Sequence, residues 1–190
     1  MGPEIIIPII VIILVIIIGI WAAGVYNKLV KARNQVKNSW SQIDVQLAKR
    51  FDLIPNLVET CKGYASHEKE IWNSFADARR MYDNAKASGN IEELADANNK
   101  ISSTLGRLLI VQEQYPALKA DVHFSKMMDE LKESEQQIAF TRQFYNDVTL
   151  KYNNQRELFP ANIVAGIFKF KEAPYFKAPV EAQTAPKVSF

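Results

Sequence analysis

The sequence predicts an all-α protein. An N-terminal transmembrane helix continues into an antiparallel up-down-up-down four-helix bundle, followed by a short interfacial helix and an extended C-terminal arm. Three observations predict this. Residues 5–25 form a run of 21 with no charged side chain, eleven of them Ile. From Tyr26 to Glu157 apolar residues recur every three or four positions and never alternate. Turn signals cut that stretch into four long segments. The division expected is 1–25 as anchor, 26–157 as bundle, and 158–190 as membrane-proximal helix and docking arm.

Composition agrees. The 190 residues are 48% apolar and 23% charged, with 23 Lys+Arg against 21 Asp+Glu and a net charge of +2. That apolar fraction excludes a largely disordered chain. The balanced charge speaks against a bulk nucleic-acid binder, so no nucleic-acid partner is expected. A single cysteine excludes a disulfide framework and any multi-cysteine metal site.

The anchor comes first. At 1.5 Å per residue, residues 5–25 reach about 31 Å, against about 30 Å of hydrocarbon. Pro8 sits in the first turn, where its missing N–H costs least. Trp21 and Tyr26 lie near the far end, where interfacial aromatics belong. A cleaved signal peptide is the rival reading, with Ala22-Ala23-Gly24 as its cleavage site. It wants a basic flank and a shorter apolar run, and Glu4 with no Lys or Arg fits it badly. Gly19 and Ala23 form a small-xxx-small pair through which two anchors could approach. Lys28, Lys31, Arg33 and Lys37 precede the first acid, Asp44. The positive-inside rule then puts the N-terminus outside the cytoplasm and the bundle inside it. The same cations suit an anionic lipid surface.

The first soluble helix is expected over Tyr26–Arg50, on the stripe Leu29, Val36, Trp40, Ile43 and Leu47. Pro55 costs a backbone bond in a helix interior and suits a first turn, so a second helix is expected over Pro55–Lys86, capped near Asp52. A continuous helix kinked at Pro55 is the alternative. Ser88-Gly89-Asn90 makes a turn, with Asn90 and Glu93 spaced as a capping box. The third helix is expected over Ile91–Gln114, stopped at Tyr115-Pro116. The fourth is expected over Asp121–Glu157, stopped at Phe159-Pro160. Short loops make antiparallel neighbours.

An even number of passes brings the fourth helix back to the bilayer. Ile163, Val164, Ile167 and Phe168 then share one face of a short helix, with Lys169 and Lys171 behind it. Two readings stand: a helix lying in the interface, or one folded back to close the bundle. Beyond Glu172 an Ala/Pro-rich arm carries Tyr175, Phe176 and Phe190. Its aromatics point to docking on its own bundle or on a neighbouring subunit.

Catalytic patterns are missing. No glycine-rich phosphate loop, Gly-x-Ser-x-Gly or Cys-x-x-Cys occurs. Neither His67 nor His123 falls in the Glu-x-x-His motif of a dimetal bundle. Cys61 reads as a buried packing thiol. No enzyme activity and no cofactor are expected. Arg33, Glu68, Glu135 and Arg142 fall on apolar stripes, and buried charges need partners. A level count along the helices suggests one ionic layer, with arginines facing glutamates as a structural network. A metal or proton site between the two carboxylates is the rival reading.

The string itself resembles a known family. Tyr26-Asn27 and Arg33-Asn34 run into Trp40-Ser41-Gln42-Ile43-Asp44. Asp52-Leu53-Ile54-Pro55-Asn56-Leu57-Val58 follows, with Gly63-Tyr64-Ala65 and His67-Glu68 behind it. Tyr115-Pro116, Arg142-x-x-Tyr145-Asn146, Tyr152-Asn153, Phe159-Pro160-x-Asn162 and the terminal Pro186-Lys187-Val188-x-Phe190 complete it. This pattern resembles the bacterial LemA family over essentially the whole chain. The resemblance implies a single span and a cytoplasmic helical bundle, with a turn before Pro55. It supplies no catalytic residues. Some relatives resemble lipoproteins, but Gly24-Val25 stand here where such a chain has its Cys. A magnetosome-associated relative implies a role in organising membrane.

The expectation is therefore a non-enzymatic, membrane-anchored bundle in a bacterial inner membrane. It would self-associate as a homo-oligomer and organise or shape the lipid bilayer. The alternative is an adaptor that recruits another membrane protein, a protease or signalling kinase, through bundle and arm.

Overall fold

The structure, a computed structural model, describes residues 3–65 and 67–177. It is helical, with no strand among the described residues. The elements are α1 (Pro3–Lys62), α2 (Lys69–Ser88), α3 (Ile91–Val111), a 3-10 turn (Gln112–Gln114), α4 (Pro116–Lys119), α5 (Val122–Glu157) and α6 (Ala161–Ile167). Two compact units divide the chain. One comprises Met1–Ser39 with Asp147–Ala173, the other Trp40–Asn146 with Pro174–Phe190.

In the first unit α1 opens with the apolar run. Every side chain from Ile7 to Trp21 is exposed, and the segment is long and apolar enough to cross a membrane. Beyond it Leu29, Ala32 and Val36 turn inward, spaced three and four apart as one helix face. Tyr152, Thr149 and Asn153 of α5 are buried, as are Val164 and Ala165 of α6 and Phe170 after it. Helix α6 ends in a Schellman motif. Phe170 N–H donates to Ala165 O at 3.0 Å and Lys169 N–H to Gly166 O at 3.2 Å. Lys169 takes the left-handed position, φ 54°.

In the second unit the core is Ile43, Leu47, Phe51, Ile54, Leu57 and Cys61 from α1, with Ile71, Phe75 and Tyr82 from α2. Ile101, Leu105 and Leu108 from α3 and Phe124, Leu131, Ile138 and Tyr145 from α5 complete it. Phe51 stacks on Tyr82, rings 4.1 Å apart and 10° from parallel. Helix α2 ends at Gly89, which sits at φ 68° where a side chain would be strained. Asn90 caps α3 by accepting from Glu92 N–H and Glu93 N–H, and its amide donates to Glu93 at 2.9 Å. Asp121 caps α5, accepting from Phe124 N–H at 2.8 Å.

One boundary differs from the sequence expectation. Helix α1 does not stop at Arg50 or restart at Pro55; it runs on to Lys62, and the second helix is Lys69–Ser88. Pro55 leaves the Phe51 carbonyl without its usual i+4 donor. Arg79 of α2 takes that place, its Nη1 donating to Phe51 O at 2.8 Å. The chain turns instead between Gly63 and Glu68. There Ala65 N–H donates to Cys61 O at 2.9 Å. Trp72 Nε1 holds Ala65 O at 3.1 Å, and Tyr64 donates to Asp121 at 2.9 Å.

Candidate functional site

The first unit gathers the residues expected to meet lipid. Phe168 packs its ring 4.7 Å from that of Tyr26, and Phe170 lies 5.7 Å from the same ring. Tyr26 directly follows the apolar run, so α6 sits at the end of that run. The expected apolar face is rearranged. Val164 turns inward with Ala165, and both are buried within the first unit. Ile163, Ile167 and Phe168 stay outward at 52, 68 and 56% exposure, joined by Leu158 and by Phe159 at 79%. The last two do not stand out in the sequence, where Phe159-Pro160 reads only as a stop.

Four basic side chains follow the apolar run as a collar in sequence. Lys28, Lys31, Arg33 and Lys37 are all exposed. Arg33 lies over the Phe170 ring, 5.3 Å from its centre, a cation–π contact that joins collar to tail. Gly19 and Ala23 are exposed, with open space around the Gly19 α-carbon.

The ionic layer has different members. Arg33 belongs to the first unit, against Phe170 rather than a carboxylate. Glu68 accepts from Tyr115 Oη at 3.0 Å. Arg142 is half-buried, with Nη1 unpartnered. Glu135 pairs with Arg50, and Arg50 also donates to Asn98 Oδ1. The correction follows from α1's length. Once the helix passes Pro55, Arg50 falls in phase with Ile43, Leu47, Ile54 and Leu57 and is 1% exposed. Burial pushes its pKa down and Glu135 pulls it back up. Ser102 donates to the same carboxylate at 3.1 Å. A cleft of about 530 Å³ opens over the pair, walled by Leu105, Leu109, Met128 and Leu131.

The chemistry of this centre is that of a neutralised pair. Among the described residues no three His, Cys, Asp or Glu side chains gather as metal ligands would. His67 and His123 are exposed. Burial pushes the Cys61 thiol up to about 12, so it stays protonated near neutral pH and is no nucleophile.

The arm docks on its own chain as far as it is described. In the first unit Tyr152 Oη donates to Lys171 O at 2.7 Å. Asn153 takes both Ala173 groups, each at 3.0 Å. In the second unit Tyr145 Oη donates to Pro174 O at 2.7 Å. Asn146 takes Phe176 O at 3.1 Å and Phe176 N–H at 3.0 Å. Phe176 is fully buried, 6.0 Å from Trp40. Tyr175 is exposed at 38%, and Lys177 pairs with Glu92 at 3.1 Å. Phe190 lies outside the described residues. The repeated Tyr-Asn pair is thus a strap clamp, a role that its spacing alone does not announce.

Comparison with known proteins gives a family and relatives. The family model described as LemA family matches residues 39–190. Magnetosome proteins MamQ 2 and MamQ 1 of Paramagnetospirillum magneticum are each 29% identical over 175 residues, covering 80% of this chain and 64% of theirs. Protein LemA of Metamycoplasma hominis is 24% identical over 155 residues, covering 82% of this chain and 70% of its own. The chain therefore spans less than two thirds of the length of the magnetosome relatives that it matches.

Proposed function

Because the chain belongs to the LemA family, we propose that it is a non-enzymatic, single-span protein of the bacterial inner membrane that self-associates and organises or shapes the bilayer. Its N-terminus lies outside the cytoplasm. Its helices α1, α2, α3 and α5 form an up-down-up-down four-helix bundle on the cytoplasmic side, with 158–190 as a membrane-proximal helix and arm.

The observation that carries this reading is α1 itself. Its 60 residues run from the apolar segment into the packed helices without a loop. A loop would let the membrane ignore what happens to the soluble part. A continuous helix joins them in one element. Phe140 and Phe144, one turn apart on α5, are 70 and 48% exposed, and such a pair suits a protein contact. The magnetosome names of two relatives favour a membrane-organising role here.

The test is the mass of the full chain in mild detergent, beside the shape of vesicles carrying it. A discrete oligomer that changes vesicle shape supports the proposal. A monomer that leaves vesicles unchanged overturns it. The exposed Phe140 and Phe144 serve equally well in an adaptor for another membrane protein. That reading expects a stable hetero-complex in the same detergent, weakened by Phe140→Ser with Phe144→Ser.

A further inference from the structure

We propose that α6 and the corner before it form a second membrane contact: a foot whose exposed apolar side chains enter the acyl boundary of the leaflet on the bundle side, with anionic headgroups held by Lys169 and its neighbours. This rests on reading residues 5–25 as the span, and it adds a lipid-binding surface to the proposed scaffold.

Placement is the first argument. The rings of Phe168 and Phe170 lie 4.7 and 5.7 Å from Tyr26. Tyr26 is the residue at which the apolar run ends, so the foot sits where hydrocarbon gives way to headgroups. Exposure is the second. Leu158, Phe159, Ile163, Ile167 and Phe168 are 52–79% exposed within eleven residues. Water does not support such a patch on a small unit, and the lipid that begins at Tyr26 is continuous with it. Chemistry is the third. Lys28, Lys31, Lys169 and Lys171 are exposed around the patch, the ring of cations that anionic lipid attracts.

Lys169 supplies an independent observation. It occupies the left-handed position of a Schellman motif at φ 54°, where glycine fits without strain. The equivalent position of α2 is Gly89, at φ 68°. A lysine in a glycine's place carries backbone strain and brings a charge. A cation beside the headgroups gives that charge a task.

The experiment uses the full chain in vesicles of phosphatidylcholine with and without phosphatidylglycerol. Nitroxides are placed on Phe159→Cys, Ile163→Cys and Ile167→Cys; the parent protein, with Cys61 buried, serves as the unlabelled control. The expected result is oxygen accessibility above that of a water-soluble nickel chelate at all three positions, deeper with phosphatidylglycerol. Lys169→Gly should raise the thermal midpoint while reducing the phosphatidylglycerol dependence at Ile167→Cys. Nickel accessibility equal to or above oxygen at all three positions overturns the foot. So does low accessibility to both reagents with spin–spin broadening, which would place a second copy on the patch. That last outcome leaves the self-associating scaffold standing. A lipid-exposed foot on a monomeric protein would instead sink the scaffold and keep the foot.

Discussion

Arg79 closes the gap that Pro55 opens. The proline removes one helix bond, and the Arg79 guanidinium, 28 residues beyond Phe51, donates to the stranded Phe51 carbonyl. The two residues must therefore couple. Arg79→Met is expected to cost about 1–3 kcal/mol, the range for leaving a buried acceptor unpaired. In a Pro55→Ala background that cost should fall, because the backbone N–H restored at position 55 takes the carbonyl. Denaturant melts of the four proteins measure the coupling; strict additivity would refute it. This pair also shows why the first helix boundary is illegible in the sequence. A proline's local cost is written beside it, but its compensation lies on another helix. The same displacement hides Arg50, which looks like a helix end only if the helix ends there.

Asp121 gives a pH dependence with a definite sign. Its carboxylate accepts from Phe124 N–H and from Tyr64, and both hold its pKa below the ordinary 3.8. A depressed carboxylate stabilises the fold above its unfolded value and loses that contribution as pH falls through its folded value. The stability that Asp121 adds should thus be present above about pH 4 and fade in more acid solution. Asp121→Asn should flatten the thermal midpoint across that acid range. A variant whose midpoint falls with acid as steeply as the parent's would exclude Asp121 as a source.

At the scale of elements, the long helices and a docking arm are legible, whereas the clamp that holds the arm is not. The stripes on α3 and α5, the Asn90 cap and the Asp121 cap follow from spacing and residue type, because a helix satisfies itself locally. An extended segment has no such internal pattern. Its bonds come from Tyr145, Asn146, Tyr152 and Asn153, whose spacing on α5 announces no partner. Phe176→Ala should cost about 3–5 kcal/mol, as a fully buried aromatic does. Asn153→Ala should cost about 1–2 kcal/mol by freeing both Ala173 groups. A change below 0.5 kcal/mol (the scatter of surface substitutions, roughly) at Phe176 would mean that the strap is held elsewhere.

At the scale of the whole molecule, the sequence shows an anchor and a helical body but not where the compact units divide. The chain returns to its own beginning, since Asp147–Ala173 completes the unit opened by Met1–Ser39. A chain ending at Lys177 should keep that unit intact. One ending at Glu157 loses α6, Phe170 and the strap, and with them the rings packed beside Tyr26 and Arg33. Amide exchange across 26–39 in detergent should then rise at least tenfold (about 1.4 kcal/mol of lost protection). Unchanged exchange would show that the tail contributes nothing to the fold there.

That arrangement sets a timetable for biosynthesis. The apolar run leaves the ribosome before Asp147–Ala173, while those packing partners are still untranslated. At about 5–20 residues per second, the 134 residues from Trp40 through Ala173 take on the order of ten seconds to make. During that interval Trp40–Asn146 has its own helices to pair with, whereas Leu29, Val36 and Tyr26 have none. The unit that the chain opens closes only once Asp147–Ala173 has been made. Its exposed apolar face in the meantime is the natural point at which chaperones, or sister chains inserted nearby, would meet the nascent protein.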